Sequence, residues 1–277
     1  MRKRRTVAAP VTFEGVGVHS GSQSSVTVLP LFSGTGVQFR FGAEVFPITE
    51  ARTLGAARST SIAFPGGQTL RTVEHLMGAL SGLCIDDALI EARAGSELPI
   101  LDGSALPYVS GFIGAGIAEK DEAAEGAALA SPLFIEQGKA SIAAAPSDIL
   151  RVTYVIDYPG TAIGTVLKDV TITPESFASD VAPARTFALL SEVESLKESG
   201  LARGGDLTNT LVFAGDGPLD GTPLRMDGEC AAHKILDLLG DLALAGPLPA
   251  AHYICIRGGH GLHRRLAARL VSLAGKK

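Results

Sequence analysis

His233 and Asp237 stand four residues apart in the segment HKILD, so on a helix both project from one face. A histidine and a carboxylate in that relation can bind one metal ion, and the same pair is also an ordinary helix-surface contact. Asp241 follows at the next four-residue step, and these polar groups interrupt a leucine-rich segment that ought to be buried. Buried charges need a metal or a partner, which favours the ligand reading. Glu74-His75 offers a third ligand. His75, His233 and Asp237 together make a His, His, Asp set that leaves one tetrahedral position for water, as catalytic zinc sites do. Glu74 then stands beside that water as a general base, since such an ion lowers the water pKa from about 15.7 to about 7. Glu74 is equally the acid that a helix N-terminus favours, by about 0.3–1 kcal/mol, and both readings hold together. Two histidines and one carboxylate also describe the facial triad of non-haem iron oxygenases. The adjacent acid, which an oxygenase does not need, tilts the reading to hydrolysis and leaves the metal open between Zn2+ and Fe2+.

The other candidates are weaker singly. His260 lies in Arg257-Gly258-Gly259-His260-Gly261, a glycine-flanked loop before a helix, from which it can protonate a leaving amine if a carboxylate such as Asp241 orients it. Lys234, beside His233, can hold a phosphate or polarise an oxygen, or simply be a solvated lysine. His252 opens an apolar strand and His263 sits among Arg264 and Arg265, so both are expected to be surface or hydrogen-bonded structural residues. The glycine loop GVGVHSG at 15–21 lacks the GxGxxG or Walker context, so no nucleotide fold follows.

These groups have to be carried by a globular frame. Hydrophobic residues are 46% and charged residues 19% of 277, which excludes a disordered or collagen-like chain, and the net charge of −5 argues against a nucleic-acid binder. Three cysteines without CxxC spacing argue against a disulfide framework and a cysteine zinc site. The basic start runs into a proline and a glutamate where a signal peptide would be apolar, and no stretch is long and apolar enough to span a membrane, so a cytoplasmic protein is expected. Strand-like segments fill the first seventy residues, including 26–29 and 37–41. A helix is then expected from Thr72 as N-cap, with Val73, Leu76, Met77, Leu80 and Leu83 at helical spacing. A strand at 87–92, the loop GSELPILDGSA and a helix near 106–115 follow. The order helix, strand, loop, helix returns at 229–245, 252–257, GGHGL and a helix with Leu266, Leu270 and Leu273 on one side. The expected class is α+β, with two similar domains, each a layer of helices on a mainly antiparallel sheet. Residues 1–120 form the first, 121–130 a linker within the polar stretch 118–131, and 131–277 the second.

Seven segments in register, GVGVHSG, TVEHLMGALSGLCIDDALIE, ELPILDGSALPYV, ARTF, GLARGGDLTNTLVF, HKILDLLGDLALAG and GGHGLHRRL, together resemble the UDP-3-O-acyl-N-acetylglucosamine deacetylases. These are zinc amidases of the committed step of lipid A synthesis, and the resemblance runs from about Thr6 to Leu270. It implies an active site between the two domains and zinc on His75, His233 and Asp237. It implies Glu74 as base, His260 as acid held by Asp241, and Thr186 as donor to the oxyanion. Phe187 would line the sugar site, Lys234 would meet the polar part of the substrate, and His19 would lie near the site. The implied reaction releases acetate from the 2-acetamido group of a UDP-linked, 3-O-acylated glucosamine. The segment near 157–183 corresponds to the family's acyl-passage insert and is short here, and Thr208 stands where an aspartate is common.

Two competing classes are set beside this one. A catalytically silent UDP-sugar-binding relative would have lost the base or a ligand, and all are present. A metal-dependent deacetylase of another acylated amino sugar would share the chemistry and differ in its need for the UDP or acyl parts. The expected partner is a small-molecule substrate, with no nucleic acid and no transmembrane segment, and a monomer is expected.

Overall fold

The computed structural model describes residues 2–55, 58–124 and 129–274 of the chain. The first half lays down β1 (Lys3–Val7), β2 (Val11–Val16), β3 (Gln23–Leu29), β4 (Val37–Phe41), β5 (Glu44–Pro47), β6 (Arg52–Leu54), β7 (Ser61–Ala63) and β8 (Thr69–Arg71). Helix α1 (Glu74–Gly82), β9 (Ala88–Ala94), α2 (Leu106–Ala115) and β10 (Ile117–Ala123) complete it. The second half begins with β11 (Leu133–Gln137), β12 (Ala140–Pro146), β13 (Arg151–Tyr158), β14 (Gly164–Thr171) and α3 (Pro174–Asp180). It continues through β15 (Phe187–Leu189), α4 (Leu190–Glu198), β16 (Leu211–Ala214), β17 (Gly217–Pro218), α5 (Glu229–Ala243), β18 (Ala251–Ile256) and α6 (His260–Ala274). The class is α+β, as the sequence predicts.

The two halves repeat one topology. Their five-stranded sheets run β2-β3-β9-β4-β5 and β11-β12-β18-β13-β14. In each, three neighbouring pairs are antiparallel and one is parallel, β4 with β9 and β13 with β18. A parallel pair cannot be joined by a hairpin, so each demands a crossover. The crossovers are the segments that hold α1 and α5, so the same topological requirement delivers a helix to the middle of each half. Strand burial follows the period of two that a half-buried strand needs. In β13, Val152, Tyr154 and Ile156 point into the core while their neighbours are partly exposed.

Helices α1 and α5 pack against each other across the two halves, and almost every residue of both is buried. Their backbones approach closely at Gly78 and Gly240, where a Cβ on Gly240 would lie 2.7 Å from the carbonyl carbon of Glu74. Only glycine lets two helices meet that tightly.

One local expectation needs correction. Thr72 is not the N-cap of α1: it takes φ 54, its hydroxyl donates to Glu97 at 2.8 Å, and Val73 holds the cap position without a side-chain bond. The polar stretch 118–131 is strand up to Ala123, because β10 pairs with β1. Its Lys120 is buried and reaches Asp87 at 2.9 Å, while Arg4 binds the same carboxylate, so a buried ion cluster pins the strand. Residues 125–128 of the expected linker lie outside the described residues. The stretch near 157–183 holds the end of β13, β14 and α3, and so supplies a strand of the repeated sheet. The additional unit of the second half is β15, α4, β16 and β17. No helix among the described residues is long and apolar enough to cross a membrane.

Candidate active site

The candidate residues converge where α1 meets α5. The buried face of α5 carries His233, Asp237 and Asp241 one turn apart, each no more than 2% exposed. The first turn of α1 brings Glu74 and His75 to the same place. His233 donates from Nδ1 to the Ala184 carbonyl at 3.0 Å, which leaves Nε2 unprotonated. That Nε2 lies 3.4 Å from Asp237 Oδ1, and His75 Nε2 lies 3.9 Å from the same oxygen. The imidazole rings are 5.1 Å apart at 80°.

Burial drives the His75 pKa down to about 3, helped by His233, and pushes His233 below its usual value despite Asp237. Asp237 is held well below the carboxylate range: burial opposes its charge, but Lys234 and the surrounding histidines prevail. Lys234 Nζ donates to Asp237 Oδ2 at 2.8 Å. His75 Nδ1 is buried with no hydrogen-bond partner among the described residues. Two neutral nitrogens and an ionised carboxylate, with ligand atoms all within 4.8 Å of one another, form a donor set that fits a divalent transition metal.

A second group, Asp241, His260 and His263, is equally compact but already satisfied. Asp241 Oδ2 accepts from His260 Nδ1 and His263 Nδ1, each at 2.8 Å, and Oδ1 accepts from the Thr60 hydroxyl. The other nitrogen of His263 is 3.0 Å from the Tyr154 hydroxyl. Protons fill this cluster, so it needs no cation. Burial works against charge on His260, yet Asp241 and Asp237 raise its pKa to about 9, and the same histidines hold Asp241 at about 2 against its own burial.

Glu74 opens α1 beside His75, with Oε2 accepting from the Thr60 amide at 3.0 Å. Burial, reinforced by Asp241 and Asp237, lifts its pKa to about 8, with His260 pulling the other way. A cation on the neighbouring ligands would draw it back down by direct attraction.

The remaining candidates line a cleft of about 530 Å³ that includes His19, Thr186, Phe187 and Lys234. Thr186 is fixed through its amide, which donates to Gly103 at 2.8 Å. Arg185 beside it is bound by the buried Glu229 at the start of α5 through Nε at 2.8 Å, so the ARTF segment is tied to the helix that carries His233. The Phe187 ring packs edge-on against Tyr158 at 5.7 Å, with Lys234 Nζ 5.5 Å from its centroid. His252 bonds Thr153 at 2.8 Å, away from the cleft, as a structural residue.

Reasoning from sequence missed Thr60, Tyr154, Arg185, Glu229 and the place of His263 against Asp241. His263 had a usable signal: it stands three residues after His260 on one helix, and so on the same face. Thr60 had none.

A family model described as UDP-3-O-acyl N-acetylglycosamine deacetylase matches residues 4–272. The chain is 41% identical over 268 residues to the UDP-3-O-acyl-N-acetylglucosamine deacetylase of Thermosynechococcus vestitus, covering 95% of this chain and 92% of that one. It is 39% identical over 280 residues to the protein of the same name from Nostoc sp., covering 98% and 99%. The corresponding Chlamydia pneumoniae protein is 38% identical over 265 residues, 94% and 93% of the two chains.

Proposed function

The chain belongs to the UDP-3-O-acyl-N-acetylglucosamine deacetylase family, and from that premise we propose how its cleft hydrolyses the 2-acetamido group of a UDP-linked, 3-O-(3-hydroxyacyl) glucosamine, the step of lipid A biosynthesis that releases acetate. His75, His233 and Asp237 hold the metal, taken as Zn2+, with Fe2+ compatible with the same ligands. Bound there, the ion acts as a Lewis acid toward the amide carbonyl and the attacking water.

The chain's own groups supply the rest. Glu74 takes the proton of the attacking water, oriented by the Thr60 amide at 3.0 Å. The Thr186 hydroxyl donates to the negative oxygen of the tetrahedral intermediate. His260, raised to about 9, carries a proton at neutral pH and gives it to the departing nitrogen, while Asp241 fixes its ring at 2.8 Å. With a cation on the neighbouring ligands Glu74 would return to its ionised form, and one turnover would then have a base beside the charged His260. Lys234 meets the polar part of the substrate, Phe187 covers the sugar, and His19 borders the site. The stretch near 157–183 takes the acyl chain, with Tyr158 against Phe187 at its border. We assign residues 1–120 to one domain, 121–130 to a linker that takes in the last three residues of β10, and 131–277 to the other, in a cytoplasmic monomer.

The observation that carries this reading is the convergence of His75, His233 and Asp237, with Glu74 next to His75 in the chain and His260 Nε2 3.9 Å from Asp237. The test is metal content of wild type and His233→Ala, paired with acetate release from the UDP-acyl-sugar. About one metal per chain, lost in His233→Ala together with turnover, is the expected result, and Glu74→Ala should keep the metal but lose turnover. A wild-type chain that holds no metal, binds UDP-sugar tightly and releases no acetate would instead be a binding protein.

A further inference from the structure

The glycine loop at 15–21 fits no nucleotide motif, yet it does surround an anion. The anion is the chain's own Glu97, 2% exposed. The amides of His19 and Ser20 donate to its two carboxylate oxygens at 3.0 and 2.7 Å. Gly17 is glycine because a Cβ there would come 2.7 Å from the Glu97 carboxyl carbon. Against the cost of burial, these donors hold the carboxyl below its usual range.

Glu97 has a third donor, the Thr72 hydroxyl at 2.8 Å. Thr72 is β-branched and sits at φ 54, a left-handed conformation that such residues rarely adopt. Two residues later the chain becomes Glu74-His75, so this turn sets the direction in which both side chains leave α1. The His19 loop in turn supports the second half: Ala202 donates to His19 Nδ1 at 3.4 Å and Gly204 to the Val18 carbonyl at 3.0 Å. One buried carboxylate thus joins three segments that border the cleft.

We propose that Glu97 is a positioning residue for the deacetylation, holding the Thr72 turn that aims Glu74 and His75 and, with the same carboxylate, the His19 loop. The proposal rests on the deacetylase reading of the site. Glu97→Gln would set an amide NH2 against one of the two backbone N–H donors, and Thr72→Val would remove the hydroxyl while keeping the shape. Neither variant touches a group that contacts the reacting atoms.

The experiment is a double-mutant cycle on full-length chain, measuring kcat and KM for acetate release from the UDP-acyl-sugar, metal content and melting temperature. Each single variant should keep about one metal per chain and lose about 10- to 100-fold in kcat, the weight of one or two hydrogen bonds to a charged group. The double variant should fall no further than the worse single, because both remove the same link. Thr72→Ser, which keeps the hydroxyl, should stay within about twofold of wild type. If Glu97→Gln does not fold, the near-isosteric Thr72→Val and Thr72→Ser still decide the matter. Variants that melt earlier but keep wild-type kcat, or losses that add, overturn the proposal, since a merely structural carboxylate would behave so. A wild-type chain that releases no acetate overturns the deacetylase reading and this proposal with it, whereas an active wild type with unaffected variants overturns this proposal alone.

Discussion

Replacing Gly240 with alanine sets two opposed effects against each other at the seam between α1 and α5. In a helix interior, glycine to alanine gains about 1 kcal/mol from backbone entropy. At Gly240, however, the new Cβ would lie 2.7 Å from the Glu74 carbonyl carbon and 2.9 Å from its Cα, and nearer still to the carbonyl oxygen. Non-bonded carbons rest at about 3.5–4.0 Å, so the helices must part by about 1 Å. The obstacle is backbone, which cannot rotate away. His75 belongs to α1 and Asp237 to α5, and their ligand atoms are already 3.9 Å apart. Two donors on one zinc ion cannot be separated by more than about 4.2 Å, twice a bond of about 2.1 Å. A further 1 Å exceeds that limit, so the site must give up a ligand or strain the seam. Gly240→Ala should therefore lower metal affinity by at least about 10- to 100-fold, the range seen when the support of a ligand is displaced. It should also destabilise the chain by about 1–3 kcal/mol instead of stabilising it. Competition with a chromogenic chelator and a thermal melt read the two effects. Gly78→Ala is the control, because its Cβ would meet first the movable Cδ1 of Leu236 at 2.6 Å. Wild-type metal affinity in Gly240→Ala would refute the argument that this seam sets the ligand spacing.

Thr186→Val should lower kcat by about 10²–10³-fold, the cost of one lost oxyanion donor, without changing metal content; steady-state kinetics beside elemental analysis would measure it. Asp87 gives a pH prediction far from the cleft. Burial disfavours its charge, but Arg4, Lys120 and the Gly36 amide hold its pKa below the usual value, so its contribution is fully present above about pH 4 and fades as pH falls through the folded value. Asp87→Asn should cost about 3–5 kcal/mol at pH 7 by leaving Lys120 and Arg4 without their shared partner, and clearly less near pH 2; denaturant melts at the two pH values that give an equal gap would contradict it.

How much of this was legible depended on how local the information was. The three polar positions of α5 could be read directly, because a four-residue spacing maps onto one helix face whatever the rest of the chain does. The paired order of helices and strands was visible too, although the identical strand order of the two sheets was not, since pairing across a crossover leaves no local period. Thr72 shows a local rule losing to a distant one: a threonine before a helix reads as a cap, but Glu97, twenty-five residues on, claims its hydroxyl. Lys120 reads as part of a polar connector until Asp87 is seen to bury it. Thr60 is the extreme case, since its hydroxyl meets Asp241 across 181 residues and nothing in ARSTSI announces it.

The same two helices also explain why a cation belongs at one place on the seam and not at its neighbour. Glu74, His75, His233, Asp237 and Asp241 are all at most 4% exposed on helices whose other buried positions are mostly apolar, and each unsatisfied polar group there costs folding free energy. Asp241 is answered by two imidazoles and a hydroxyl, His233 Nδ1 by a carbonyl, and Glu74 by an amide. Protein partners run out at His75, whose Nδ1 has none among the described residues, and at Asp237 Oδ1, which faces two imidazole nitrogens that burial keeps uncharged. His233, whose proton is held at Nδ1, turns an unprotonated Nε2 toward that oxygen at 3.4 Å, an arrangement that a positive charge between them would stabilise. Among the described residues, the part of the seam left without protein partners is thus the part where three ligand atoms already converge.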